Sequence, residues 1–123
     1  MRRFGELEAA IMDVVWAAEE RVTVREVVDA LRASRSPAYT TVQTVMDILH
    51  RKGWLAREKD GRAYSYWALA SREDYATRLI DDVLSETPDR AAVLARFVSE
   101  MDPAEVAELR QALGEVTAKR RRS

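Results

Sequence analysis

The chain has 123 residues, 47% of them apolar, enough for one domain or two small lobes sharing a core; a wholly disordered chain is excluded. It contains no cysteine, which excludes a disulfide framework, thiol catalysis and a Cys-ligated metal site. The formal net charge is −1, yet residues 32–62 hold seven Lys and Arg against three Asp and Glu, while residues 71–118 hold five against eleven. That asymmetry fits one lobe that meets an anion and another that does not, although ordinary scatter of surface charge gives the same pattern. No apolar run approaches the ~20 residues that span a bilayer, and acidic residues follow Arg2 and Arg3 where a signal peptide would be apolar. A soluble, cytoplasmic protein without membrane insertion is expected.

In residues 5–18, Leu7, Ala10, Ile11, Val14 and Val15 recur at helical spacing and predict an amphipathic helix. Thr23 with Glu26 three residues on is a capping box for a second helix, whose buried stripe is Val24, Val27, Val28 and Leu31. Pro37 closes it, because proline disfavours helical geometry in the residue before it. A third helix follows with Val42, Val45, Met46 and Leu49 facing inward, stopped at Gly53. The period then changes. Residues 54–59 and 62–69 read as two strands around Asp60-Gly61, a two-residue hairpin signal with positive φ expected at both turn positions.

Beyond residue 70 the pattern is helical again. Ser71 and Asp74 cap a fourth helix carrying Leu79, Ile80, Val83 and Leu84. Thr87-Pro88 is expected to start a fifth, with Pro88 at its first position and a stripe of Leu94, Phe97, Val98 and Met101. Asp102-Pro103 starts a sixth, with an a/d seam at Val106, Leu109, Leu113 and Val116. Residues 119–123 read as a frayed basic tail.

Three helices followed by a hairpin is the order of a winged helix-turn-helix, with the hairpin as wing. The fold class is therefore mainly α: a winged-helix domain over residues 1–70 and a helical lobe over 71–123. Trp16, Trp54 and Trp67 are candidate core pieces where hairpin meets helices, although one of them could equally be partly exposed.

With its stripe turned inward, the third helix presents Thr40, Thr41, Gln43, Thr44, Asp47 and Arg51 to solvent. The major groove accepts one helix and offers base edges and thymine methyls, which threonine and glutamine can match. Arg51, Lys52, Arg57, Lys59 and Arg62 would neutralise phosphates on the rim. A plainer reading stands beside this one: threonine near a helix start often only caps free N–H groups, and bases before Gly53 suit a helix C-terminus. An enzyme is not expected. His50 is the single histidine, no Gly-rich phosphate loop exists, and no cofactor or metal is called for. A winged helix used for protein binding, or a non-specific DNA-binding protein, remains as the alternative.

Taken together, Gly5-Glu6-Leu7-Glu8, Met12-Asp13, Trp16, Thr23–Val27, Tyr39–Met46, Lys52-Gly53-Trp54-Leu55 and Arg62–Tyr66 resemble the penicillinase-repressor family, also called BlaI/MecI/CopY. The resemblance implies a dimeric transcriptional repressor, in some members of β-lactam-response genes, that binds double-stranded operator DNA of inverted TACA/TGTA-like half-sites. Carried over by position, Thr40, Thr41, Gln43 and Thr44 match the base-reading start of the recognition helix, and Arg51, Lys52 and Arg62 match backbone contacts. The family's dimerisation lobe maps to the last helices. Leu79, Val83, Leu94, Phe97, Val106, Leu109, Leu113 and Val116 are the candidate homodimer interface, with an intrachain core as the alternative. Copper-responsive members carry a cysteine cluster that this chain lacks. Members cleaved by a membrane sensor metalloprotease are cut at an Asn-Phe bond, whose counterpart here is Arg96-Phe97. Packing is the plainer role for Phe97.

Overall fold

The computed structural model describes residues 3–122. Its elements run α1 (Glu6–Ala17), β1 (Val22–Thr23), α2 (Val24–Leu31), α3 (Tyr39–Arg51), β2 (Leu55–Asp60), β3 (Ala63–Ala68), α4 (Arg72–Ser85), α5 (Arg90–Ser99) and α6 (Pro103–Arg121). The three strands form one antiparallel sheet in the order β1-β3-β2, so the wing hairpin gains a third strand that precedes α2. One compact unit extends through Ile80 and a second begins at Asp81.

The N-terminal unit is built on the stripes read from the sequence. Ile11, Met12, Val27, Val42, Met46, Leu49 and Leu55 are fully buried in one cluster with Val24, Val28, Leu31, Trp54 and Tyr66. Each such side chain contributes about 1.5–3 kcal/mol relative to exposure. Val45 lies at the margin of this core, packed against it but only partly buried. Thr23 and Glu26 close the predicted capping box at the start of α2. α3 ends as expected: Gly53 has φ +87°, its N–H donates to the His50 carbonyl, and the Trp54 N–H donates to the Leu49 carbonyl. Those two bonds form a Schellman motif, which needs a residue free to adopt left-handed geometry.

The wing turn differs from expectation by one residue. Asp60 pairs with Ala63, so Asp60 ends β2 and the two turn residues are Gly61 and Arg62. Of these only Gly61 has positive φ, at +66°. Glycine at the first turn position is the signature of a II′ turn, which demands a left-handed residue there alone.

The N-terminal unit also reaches past residue 70, where the sequence suggested a boundary. The ring of Tyr75, on α4, stacks on Phe4 at 4.1 Å and meets Trp54 edge-on at 5.4 Å. The Phe4 N–H donates to the Tyr75 hydroxyl at 2.7 Å, and the Trp16 indole N–H donates to the Ala70 carbonyl at 2.9 Å. Trp54 is therefore core, while Trp16 and Trp67 are half-buried, with the Arg21 guanidinium over the Trp67 ring.

In the C-terminal unit, α5 begins two residues later than expected. Asp89 is its N-cap, accepting from the Ala92 N–H, and Pro88 precedes the cap. A carboxylate in that place satisfies a free N–H and meets the helix dipole, which proline at the first position cannot do. α6 starts at Pro103 as expected, under an Asp102–Glu105 capping box, and stays helical through Arg121, so the basic residues 119–121 are its last turn rather than a frayed tail. Ser123 lies outside the described residues.

Candidate nucleic-acid interface

α3 has two unlike sides. Val42, Met46 and Leu49 are fully buried, whereas Thr40, Thr41, Gln43 and Thr44 are all exposed at the helix start. The sequence alternative, that a threonine caps this helix, is not what the structure holds. The N-cap is Ala38, which offers no side-chain acceptor. The first intrahelical bond runs from the Val42 N–H to the Ala38 carbonyl, so the N–H groups of residues 39–41 face outward without a side-chain cap. The N-cap of α1, Gly5, likewise offers no side-chain acceptor, whereas α2, α5 and α6 each carry a side-chain cap. An uncapped helix start presents donors and a partial positive charge, the ordinary means of gripping a phosphate.

Thr44 donates its hydroxyl hydrogen to the Thr40 carbonyl at 2.9 Å. That turns its methyl and remaining lone pairs outward. Thr40, Thr41 and Gln43 form no side-chain hydrogen bond among the described residues. Their groups are available to an external partner with no internal bond to break.

The predicted phosphate ligands are exposed but differ in state. Arg51 is paired with Asp47 at 3.0 Å and Lys52 with Glu8 at 3.5 Å. Exposed pairs of this kind are worth about 0–1 kcal/mol. Arg62 has no ion-pair partner among the described residues and stands at the wing tip, a consequence of the turn falling on Gly61-Arg62. Arg57, the neighbouring rim candidate, is otherwise engaged. It donates to Asp47 at 2.8 Å, lies over the Tyr64 ring at 4.2 Å and reaches the Tyr66 hydroxyl at 3.5 Å. The hydrogen bond from Arg57, with the charges of both arginines, holds the Asp47 carboxyl below its ordinary pKa. The Tyr66 and Asp47 bonds push the Arg57 guanidinium further to its charged side.

Two members of this surface were not singled out from the sequence. Arg25, on the exposed side of α2, lies over the ring of Tyr39, the first residue of α3, at 4.7 Å. It adds a cation beside the uncapped helix start, and its place outside the α2 apolar stripe is the signal that could have found it. Tyr64, exposed on β3, adds an aromatic face to the wing.

The other predicted sites lie in the helices after the wing. Val83, Leu94, Phe97, Leu113 and Val116 are exposed, and Leu79, Val106 and Leu109 are partly buried. Among the described residues from Asp81 onward, only Leu84 is buried. Phe97 is 63% exposed, so it does not fill a core of its own chain. Arg96 and Phe97 sit within α5, beside Val93 and Glu100 along a shallow apolar depression. No helix among the described residues is long and apolar enough to cross a membrane, and no group of three metal-binding side chains occurs among them.

The model of the penicillinase repressor family matches residues 4–115. The transcriptional regulator BlaI of Mycobacterium tuberculosis is 39% identical over 121 residues, covering 96% of this chain and 88% of that protein. The methicillin resistance regulatory protein MecI of Mammaliicoccus sciuri is 22% identical over 67 residues, covering 54% of each. Among solved structures, the DNA-binding domain of the repressor BlaI superposes with a TM-score of 0.52 at 27% identity, over 61% of this chain and 94% of that domain. The monomeric form of Bacillus licheniformis BlaI in complex with the blaP half-operator gives 0.50 at 27% identity, over 60% of this chain and 89% of that one.

Proposed function

The chain belongs to the penicillinase repressor family, and from that premise we propose that it is a transcriptional repressor whose α3 reads the major groove of an inverted-repeat operator, one subunit per half-site. The observation that carries this is the two-sided α3: its apolar face is fully buried, its start is uncapped, and four short hydrogen-bonding side chains face outward together.

Thr40, Thr41, Gln43 and Thr44 read base edges. Arg51, Lys52 and Arg62 hold phosphates on either side of the groove. The electrophoretic comparison that tests the assignment uses a duplex with inverted TACA/TGTA half-sites and a scrambled duplex of equal length. Preferential binding to the first supports it; equal binding to both points to a non-specific DNA-binding protein.

The second part of the reading is a homodimer. A lobe with one buried apolar side chain among its described residues has not completed a core, and exposed apolar patches of this kind mark association surfaces. A second copy supplies the same residues by two-fold symmetry, and that symmetry matches an inverted repeat. Tying two winged helices together makes the second docking intramolecular, which adds ~10²–10⁴ in avidity.

Inactivation by a membrane sensor metalloprotease requires that Arg96-Phe97 become accessible. The bond lies inside α5 with helical hydrogen bonding around it, so cleavage would require local unwinding. Incubating the chain with such a protease and sequencing the fragments tests this; an intact α5 would remove cleavage from the reading.

A further inference from the structure

Asp47 is the acidic residue on α3, three residues past Thr44 and four past Gln43, and so on the same outward side. An unpaired carboxylate there would repel the phosphates that flank a groove. It is not unpaired. Its Oδ1 accepts from Arg57 at 2.8 Å and its Oδ2 from Arg51 at 3.0 Å.

The two arms differ. Arg57 comes from β2, is 22% exposed, and is held in place by the Tyr64 ring and the Tyr66 hydroxyl. It is a strut between wing and recognition helix. Arg51 is 67% exposed on the last turn of α3 and can leave. Each carboxylate oxygen of Asp47 already accepts one arginine N–H, so a nucleobase N–H would have to share it.

We propose that Asp47 is a specificity-determining residue acting by charge, holding Arg51 in the one position that suits a correctly seated operator. This rests on the reading that α3 enters the major groove. On the operator, base contacts fix the register, and a pre-ordered Arg51 meets its phosphate with little ordering cost. On random duplex, binding is nearly all phosphate contact in many registers. There Arg51 must leave Asp47 to follow the backbone, and the carboxylate is exposed to phosphate. The pair therefore penalises the wrong complexes more than the right one, which is how a repulsive element produces discrimination.

The test is fluorescence anisotropy on the inverted TACA/TGTA duplex and on a scrambled duplex of equal length, over a salt series, with thermal melting of each variant. Asp47→Asn is expected to bind the scrambled duplex about two- to fivefold more tightly, with no gain on the operator, so the specificity ratio falls. A purely structural role would instead weaken both duplexes together and lower the melting temperature. Arg51→Gln leaves the Arg57 strut in place; it is expected to weaken the operator more than the scrambled duplex, and to abolish most of the effect of Asp47→Asn in the double variant. A wild-type preference that Asp47→Asn leaves intact, or equal weakening of both duplexes by Arg51→Gln, overturns the role of Asp47. Wild-type protein without any preference overturns the underlying groove reading instead.

Discussion

At the scale of single residues, the helical period sorted α3 correctly because burial there is decided by spacing alone. Val42, Met46 and Leu49 went inside, and the hydroxyl and amide side chains between them were left in water. Gln43→Ala or Thr44→Ala is expected to cost ~1–3 kcal/mol on the operator and little on scrambled duplex, measured by titrated gel shift. Arg62→Ala should weaken both duplexes alike and reduce the slope of log K against log salt by about one. The states of the charged residues were not legible. Asp47 meets Arg57 from ten positions along the chain and on another element, and pairing across elements leaves no periodic mark. Spacing could show the Asp47–Arg51 pair, four apart on α3, but not that Lys52 rests on Glu8 while Arg62 rests on no carboxylate among the described residues.

Elements were legible where one local signal dominated and shifted where two competed. The capping box of α2 stands where Thr23–Glu26 placed it, and α6 starts where Asp102-Pro103 placed it. At α5, the expected start at Thr87-Pro88 gave way to Asp89, whose side chain accepts from the Ala92 N–H. At the wing, the expected Asp60-Gly61 turn gave way to Gly61-Arg62, because Asp60 pairs with Ala63. β1 is two residues long, too short for any period to register. The start of α4 yields a pH prediction. The Ser71 N–H, donating to the Asp74 carboxyl at 2.9 Å, together with the Ser71 hydroxyl holds that carboxyl below its ordinary pKa. A depressed carboxyl stabilises the fold above the unfolded value of about 3.9, and that contribution is lost as pH falls through the lower folded value. Wild type should therefore melt above Asp74→Asn at pH 7, with the gap closing on acidification below about pH 4. A gap that persists unchanged at low pH would mean that charge is not the cause.

For the whole molecule, the order of elements was legible because helices and hairpin are strong local signals, and the order alone leads to a winged helix. The extent of the N-terminal unit was not, since the Phe4–Tyr75 stack joins the two ends of that unit. The exposed apolar residues of α5 and α6 are expected to meet a second copy. Leu109→Asp with Leu113→Asp should leave folded monomers, by sedimentation, that no longer bind the operator at concentrations where wild type saturates it. The most direct test of the account is sedimentation velocity of the chain titrated onto a fluorescent duplex carrying one inverted TACA/TGTA repeat. Two chains per duplex are predicted, with the complex lost on Gln43→Ala at the same concentration. One chain per duplex, or a complex indifferent to Gln43, would contradict it.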